Sequence, residues 1–424
     1  MNNEKNKGYE FLGYMADHRC ICMLCVFLFN ALIIFIRRPD ALLNAQPWAE
    51  DGEIFISQAL LIGWEAYITT HAGYYHLIPR VVAFFSTELS IFLGQGITLA
   101  PLFMNLSAII ISAVCTVYLC SSRFDWVAHI YYRLMACALI ASMPSVAFEI
   151  YGNITNVQWW IGLVQVLVTW DMVRNKRIPS KWELVILFIV SFSGPLGIFP
   201  ALGIATLFLF ERTKAVIGAV SLLWIGPIIQ ILTSLDKRLV ADTNSVMDWL
   251  VGFPRLLFGG LFARNIVPDF RHYANIDHFS TLVLIGAIFF GVIVWMNRSK
   301  KIDLLVLLGI VFLYLVMVYR GAPFLFESYA IPFHDFNGRY LFIPLALIIV
   351  LIFRGFWLSR FSIGANVAAT LIIVMMLIVD IKHFKLSTFE EFNWKEETKV
   401  YSATGDNICE IPINPNWILK IPCN

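Results

Sequence analysis

Residues 340–381 read YLFIPLALIIVLIFRGFWLSRFSIGANVAATLIIVMMLIVDI, two apolar runs (340–357 and 361–381) with Arg354 near the end of the first and Arg360 between them. Crossing the hydrocarbon core of a bilayer takes about 20 helical residues, so each run is close to the length of one span. The same pattern recurs at 20–36, 97–119, 134–150, 157–173, 215–232, 279–296 and 302–319, which makes nine spans. One more apolar stretch, between Lys181 and Arg212, is interrupted at Ser193-Gly194-Pro195 and again at Gly197 and Pro200. Such breaks leave two short helices, read as a hairpin that returns to the side it left. The expectation is an all-α polytopic membrane protein with about eleven transmembrane helices.

Composition agrees. Of the 424 residues 59% are hydrophobic and 14% charged, whereas a soluble domain carries roughly 25% charged residues. A water-soluble globule is excluded. The net charge of +2, with bases scattered through short loops, also excludes a nucleic-acid partner. Segments 1–19, 121–133, 174–182, 211–214, 297–303 and 354–360 hold 16 of the 31 lysines and arginines. Basic loops resist translocation, so these segments face the cytoplasm, and the first span is retained as a helix because no small-residue cleavage site follows it. The N-terminus is then cytoplasmic and the C-terminus external. All the large connections lie outside: 37–96, 233–278, 320–339 and the tail 382–424.

The first of these loops holds the most unusual segment, Gln46-Pro47-Trp48-Ala49-Glu50-Asp51-Gly52-Glu53, with three carboxylates in four residues. Two pieces follow, 54–64 and 73–93, apolar or amphipathic and too short to cross. They read as helices lying in the membrane interface, with Trp48, Trp64, Tyr74 and Tyr75 as belt residues. An acid beside another acid and an apolar shelf has a raised pKa, which suits a general base acting beside a lipid-linked substrate. The plainer reading is a solvated helix start, where acids suit the dipole.

The segments Trp48-Ala49-Glu50-Asp51-Gly52, His71-Ala72-Gly73-Tyr74-Tyr75-His76-Leu77-Ile78-Pro79-Arg80, Asn337-Gly338-Arg339-Tyr340 and Cys409-Glu410-Ile411-Pro412-Ile413-Asn414-Pro415 with Trp417 resemble the polytopic GT-C class glycosyltransferases. More narrowly, they are similar to bacterial and phage-encoded O-antigen glucosyltransferases that convert the serotype of lipopolysaccharide. The resemblance implies an inverting enzyme of the bacterial inner membrane. Its periplasmic active site would move a hexose, most simply glucose, from undecaprenyl phosphate to O-antigen or a related surface glycan. Asp51 is taken as the base with Glu50 close behind, and which of the two acts is left open.

A departing phosphate needs cations on the outer face, and Arg339 and Arg80 are the candidates, against a plain role in snorkelling to headgroups. His71, His76, Tyr75, Tyr340 and Asn337 are expected to contact substrate. Arg255, Arg264 and Arg271 rank lower. His71, His76, His334 and Asp335 show no metal-ligand spacing, so no metal or other cofactor is expected. Trp159, Trp160, Tyr329 and Phe333 suit a sugar platform or, by default, the interfacial belt.

Of the eight cysteines, Cys20, Cys22, Cys25, Cys115, Cys120 and Cys137 lie in or beside apolar runs and read as packing residues. Cys409 and Cys423 alone fall in the tail and are a candidate disulfide. Domain organisation is expected to be a membrane body, 1–381, and a small β or irregular periplasmic lobe, 382–424. The alternative function is a transporter or flippase of lipid-linked sugar, with a membrane acyltransferase third. The acids near the apolar runs (Glu149, Asp171, Glu183, Asp303 and Asp380) sit at their ends, whereas a coupled transporter places ionisable groups at mid-membrane. An acyltransferase would carry a mid-membrane histidine, and all eight histidines fall in loops or at span edges.

Overall fold

The computed structural model describes residues 18–143, 148–234, 255–263, 266–267, 279–321, 338–360, 362–405 and 407–423. Helix dominates them. In chain order the longer helices are α1 (Arg19–Arg37), α2 (Leu77–Phe92), α3 (Ala100–Val117) and α4 (Ile130–Ser142). They continue with α5 (Val157–Asn175), α6 (Lys181–Val190), α7 (Ile198–Phe210) and α8 (Lys214–Ser234). The last are α9 (Phe279–Asn297), α10 (Lys301–Gly321), α11 (Phe342–Leu358) and α12 (Ile363–Lys382). Two strands, β1 (Asn407–Ile413) and β2 (Trp417–Cys423), pair antiparallel from Asn407 opposite Cys423 to Ile413 opposite Trp417.

Every predicted apolar run contains a helix. The predicted break is there too: α6 and α7 are separated at 191–197, where Gly194 takes φ +124 and its Cα lies so close to Gln158 that a Cβ would meet Oε1 at 2.6 Å. Among the described residues six helices are long and apolar enough to cross a membrane: Arg19–Arg37, Ala100–Cys120, Lys214–Ser234, Ser280–Lys300, Arg339–Leu358 and Ile363–Lys382. The chain is an α-helical membrane protein. The shorter count than the expected eleven has a physical cause. α4, α6 and α7 run only 10 to 13 residues, α10 qualifies only as a shorter apolar helix over Asp303–Leu315, and α5, though 19 residues long, is diluted by Gln158, Gln165, Asp171 and Arg174. Apolar content alone does not separate a helix enclosed by protein from one facing lipid.

The contacts divide the chain into two compact units. The first comprises Met1–Ile33, Ala113–Phe148 and Ala241–Phe384. Here α11 is the central element, buried from Phe342 to Gly355. Gly355 lets α9 close on it, since a Cβ there would meet Met296 Cβ at 2.9 Å. Asn297 then ties the two helices by donating to Ile293 O (2.9 Å) and Leu351 O (3.1 Å). The buried Arg354 guanidinium pairs with Asp303, an acid predicted to sit at a span end.

The second unit comprises Ile34–Ser112, Glu149–Val240 and Lys385–Asn424. The tail therefore does not stand alone beyond residue 381 as expected. It belongs to the same unit as the first loop, because apolar side chains of its hairpin, Ile411, Ile413, Leu419 and Ile421, are buried, and a two-stranded ribbon cannot bury such a face by itself. Cys409 and Cys423 are joined as a disulfide. The predicted amphipathic helix of the first loop is α2, while 54–64 resolves into a π-turn over Asp51–Ile56, a short helix Ser57–Leu61 and a 3-10 turn Gly63–Ile68.

Candidate active site

Within the second unit the acidic segment is held from two sides. Trp48 bridges to Asn414, and Ala49 N donates to Asn414 O at 2.6 Å. Asn414 is itself fixed, its side chain exchanging hydrogen bonds with the backbone of Glu390 (2.9 Å each). Gln46 Oε1 accepts from Phe392 N at 3.0 Å, and Ser57 Oγ bonds both Lys420 O (2.6 Å) and Lys420 N (3.1 Å). Gly52 fits this closeness, because a Cβ there would displace Ile413 Cδ1 and press on Pro47 Cβ at 3.1 Å. Trp48, read from the sequence as a belt residue, is 4% exposed and stacks on Phe389 at 4.7 Å. The clamp turns it inward.

This clamp imposes a left-handed conformation on Ala49 (φ 40) immediately before Glu50 and Asp51. Such a backbone is unfavourable for a residue with a Cβ and persists only where surroundings enforce it, often at functional sites. Glu50 is left half-buried, Glu53 exposed, and Asp51 only 1% exposed.

Asp51 is met by the segment before α5. Its Oδ1 accepts from Thr155 N (2.8 Å) and from Thr155 Oγ1, and its Oδ2 accepts from Ile154 N (3.1 Å). That turn is built by Gly152 at φ +73, packed so tightly that a Cβ would meet Ala41 Cβ at 2.9 Å. Asn153 and Asn156 brace it by donating to Glu149 O, the latter at 3.0 Å. Burial raises the Asp51 pKa to about 7, the Thr155 and Ile154 donors oppose the shift, and Glu50 adds to it. The carboxyl is thus poised at neutrality, in the direction expected for an acid on an apolar shelf.

Cations surround the segment. Arg38 is buried, donates to Tyr151 O at 3.4 Å and lies over the Phe389 ring at 3.4 Å. Burial lowers its pKa to about 10, offset by the carboxylates of Asp40, Asp51 and Glu149. Arg37 stacks over Tyr151 at 4.3 Å. Arg80, on α2, is 2% exposed and lies over Phe55 of the acid-bearing π-turn at 5.5 Å, with Nη1 bonded to Gln58 Oε1. Its Nε and Nη2 have no hydrogen-bond partner among the described residues. Burial lowers its pKa to about 10, so it remains a cation.

His76 precedes α2 at 3% exposure, between Tyr74 (4.6 Å), Phe55 (5.6 Å) and His71 (5.8 Å). Its ring nitrogens meet no side-chain partner among the described residues, and a backbone hydrogen bond at His71 favours the charged ring. Burial, with His71 and Arg80 nearby, lowers its pKa to about 3, so at neutral pH the ring is uncharged, with one nitrogen donating and one accepting. The start of α2 is fixed by the hairpin break: Leu77 N donates to Phe192 O (3.0 Å) and Ile78 N to Ser193 Oγ (2.8 Å), satisfying amides that a helix start leaves open. Tyr75 is held through its backbone by Gln230 of α8, at 2.8 and 3.3 Å.

Of the predicted site residues, the structure thus gathers Asp51, Glu50, Arg80, His71, His76 and Tyr75 in one unit. Arg339 and Tyr340 belong to the other unit, on a 3-10 turn Gly338–Leu341, with the guanidinium 5.3 Å over the Tyr340 ring. Asn337, Arg264, Arg271, Tyr329, Phe333, His334 and Asp335 lie outside the described residues. Trp159 and Trp160 are buried in protein and not in a belt; their ring N–H groups donate to Asn156 Oδ1 (3.0 Å) and Ile150 O (3.1 Å).

Sequence reasoning missed Arg38, which reads as one more flanking base, and Thr155, which no local pattern marks. No group of three or more histidines, cysteines or acids suited to a metal occurs among the described residues. Compared with family models, curated proteins and solved structures, the chain finds no match.

Proposed function

We propose that this protein is an inverting, integral-membrane glycosyltransferase of the GT-C type, moving a hexose from undecaprenyl phosphate to O-antigen or a related surface glycan. The observation that carries the reading is Asp51: a carboxyl near half-protonation at neutral pH, outside the apolar spans, in one unit with the buried cations Arg38 and Arg80. In this reading the chain crosses eleven times with its N-terminus in the cytoplasm and the site in the periplasm.

The acceptor hydroxyl gives its proton to the carboxylate of Asp51 or of Glu50, which is the more accessible of the two. The freed oxygen attacks the anomeric carbon from the face opposite the phosphate, which inverts the centre. The bond from that carbon to the phosphate oxygen breaks, and the bonding pair leaves with the lipid phosphate. Arg80, with two donors unused among the described residues, stabilises the leaving charge. His76, neutral, donates one hydrogen bond to sugar or phosphate.

Surface glycan from cells expressing the intact chain, Asp51→Asn or Glu50→Gln at matched levels provides the test. A hexose branch present with the intact chain and lost with either substitution supports transfer through this pair. Full branching with both variants removes the assignment, and a glycan unchanged by the intact chain shifts the weight to a flippase.

A further inference from the structure

At the end of α9 the chain turns through Arg298–Lys300 and enters α10, and beside it α11 gives way to α12. A cavity of about 370 Å³ opens at these ends, lined by Trp295, Met296, Arg298, Ser299, Leu358, Ser359, Ser362 and Ala365. Its size falls within the range of small-ligand sites. Its lining combines apolar side chains with a guanidinium and three hydroxyls. The glycosyl-transfer reading assigns it nothing.

We propose that this cavity holds the headgroup phosphate of an anionic phospholipid. The first argument is charge. Arg298, Ser299 and Ser362 are exposed at the mouth, Lys300, Lys301 and Arg360 are exposed close by in sequence, and Asp303, the acid beside them, is paired with Arg354. The second is chemistry. Arg298 lies over the Trp295 indole at 5.6 Å, which orients the fork while leaving its N–H groups available. Ser362 Oγ accepts from Ala365 N (3.4 Å), so its own proton is available to donate, and no hydrogen bond engages Ser299 among the described residues.

The third argument is position. α9 and α12 are among the helices long and apolar enough to cross a membrane, and both expose large apolar side chains, Leu284 and Ile288 on one, Ile363, Val367 and Leu371 on the other. A phosphodiester seated between the basic ends of two such helices keeps its acyl chains in the hydrocarbon along them. A phosphate free in water would have no use for the apolar lining of Trp295, Met296 and Leu358.

Delipidated protein titrated with phosphatidylglycerol or phosphatidylcholine and read by native mass spectrometry tests this. The wild type takes up phosphatidylglycerol about five-fold more tightly, the effect of roughly one well-placed base near a membrane surface. Arg298→Glu abolishes the preference, Ser362→Ala reduces it, and Arg212→Gln, an exposed base of the other unit, leaves it intact. Arg298 and Ser362 are exposed, so loss of folding does not confuse the result. Equal uptake of the two lipids by the wild type overturns the proposal, as does an equal loss in Arg212→Gln. If glycerol 3-phosphate alone stabilises the protein as well as the lipid does, and Arg298→Glu removes that stabilisation, the site takes a free phosphate and the lipid assignment falls.

Discussion

Burial brings the Asp51 carboxyl to neutrality, where the proposed general base would act. With a pKa of about 7, the base form grows from about a tenth at pH 6 to about nine-tenths at pH 8. Transfer activity is therefore expected to rise across that interval. Thr155 donors hold the pKa down, so Thr155→Val removes the hydroxyl donor and moves the rising limb of the pH profile above 7. Stability runs the other way. The folded pKa exceeds the unfolded one, so the native state binds the proton more tightly, and the contribution of Asp51 is present below pH 4 and lost as pH passes 7. Melting curves between pH 5 and 8 should show that decline in the wild type and lose it in Asp51→Asn.

How much of this was written in the chain is also a matter of residues. Three acids in four positions mark the segment, and a neighbouring acid on an apolar shelf predicts the raised pKa. The partner of Asp51 is 104 residues away, and nothing in Ile154-Thr155 announces two amides aimed at a carboxylate. Arg38 after a span looks like any basic flank; its burial follows from Phe389, another partner far along the chain.

At the scale of elements, the decisive one is the C-terminal hairpin. β1 and β2 pin the acidic segment through Asn414, Ile413 and Lys420, and the disulfide closes a loop across 14 residues. Loop-closure entropy for that length is worth about 3 kcal/mol in the usual chain model. Cys409→Ser is expected to lower the melting temperature and transfer together, by loosening the strand that shapes Ala49. Asn414→Ala gives a sharper outcome: far-UV circular dichroism unchanged, since helix dominates, with activity reduced at least ten-fold. Proline and short apolar stretches showed that the tail was no helix. They could not show what it packs on, because strand faces carry no address beyond their alternation.

Over the whole molecule the helices were the legible part, since an apolar run of span length is a local property. What the runs could not separate was lipid from protein surroundings. α5 and α11 are apolar enough to read as spans and are each enclosed by protein along most of their length. Their polar members are therefore under constraint. Asp303→Ala would strand the Arg354 guanidinium inside the protein, and breaking a buried pair in this way costs roughly 3–5 kcal/mol. Thermal unfolding in detergent checks it, and Asp303→Asn should recover part of the loss. For topology, a reporter fused after residue 424 is expected to be active only in the periplasm.

The clamp on the acidic segment is drawn from the last forty residues of the chain, while the acids themselves belong to the first sixty. Helices α1 to α12 leave the ribosome before the clamp does, so membrane insertion and the birth of the site are separated in time. A chain stopped between Lys382 and Asn414 has helices α1 to α12 and its three carboxylates, yet lacks the contacts that hold Ala49 and Asp51. In the proposed reading, transfer begins only once residues 390–420 have emerged and folded back onto the loop that left first.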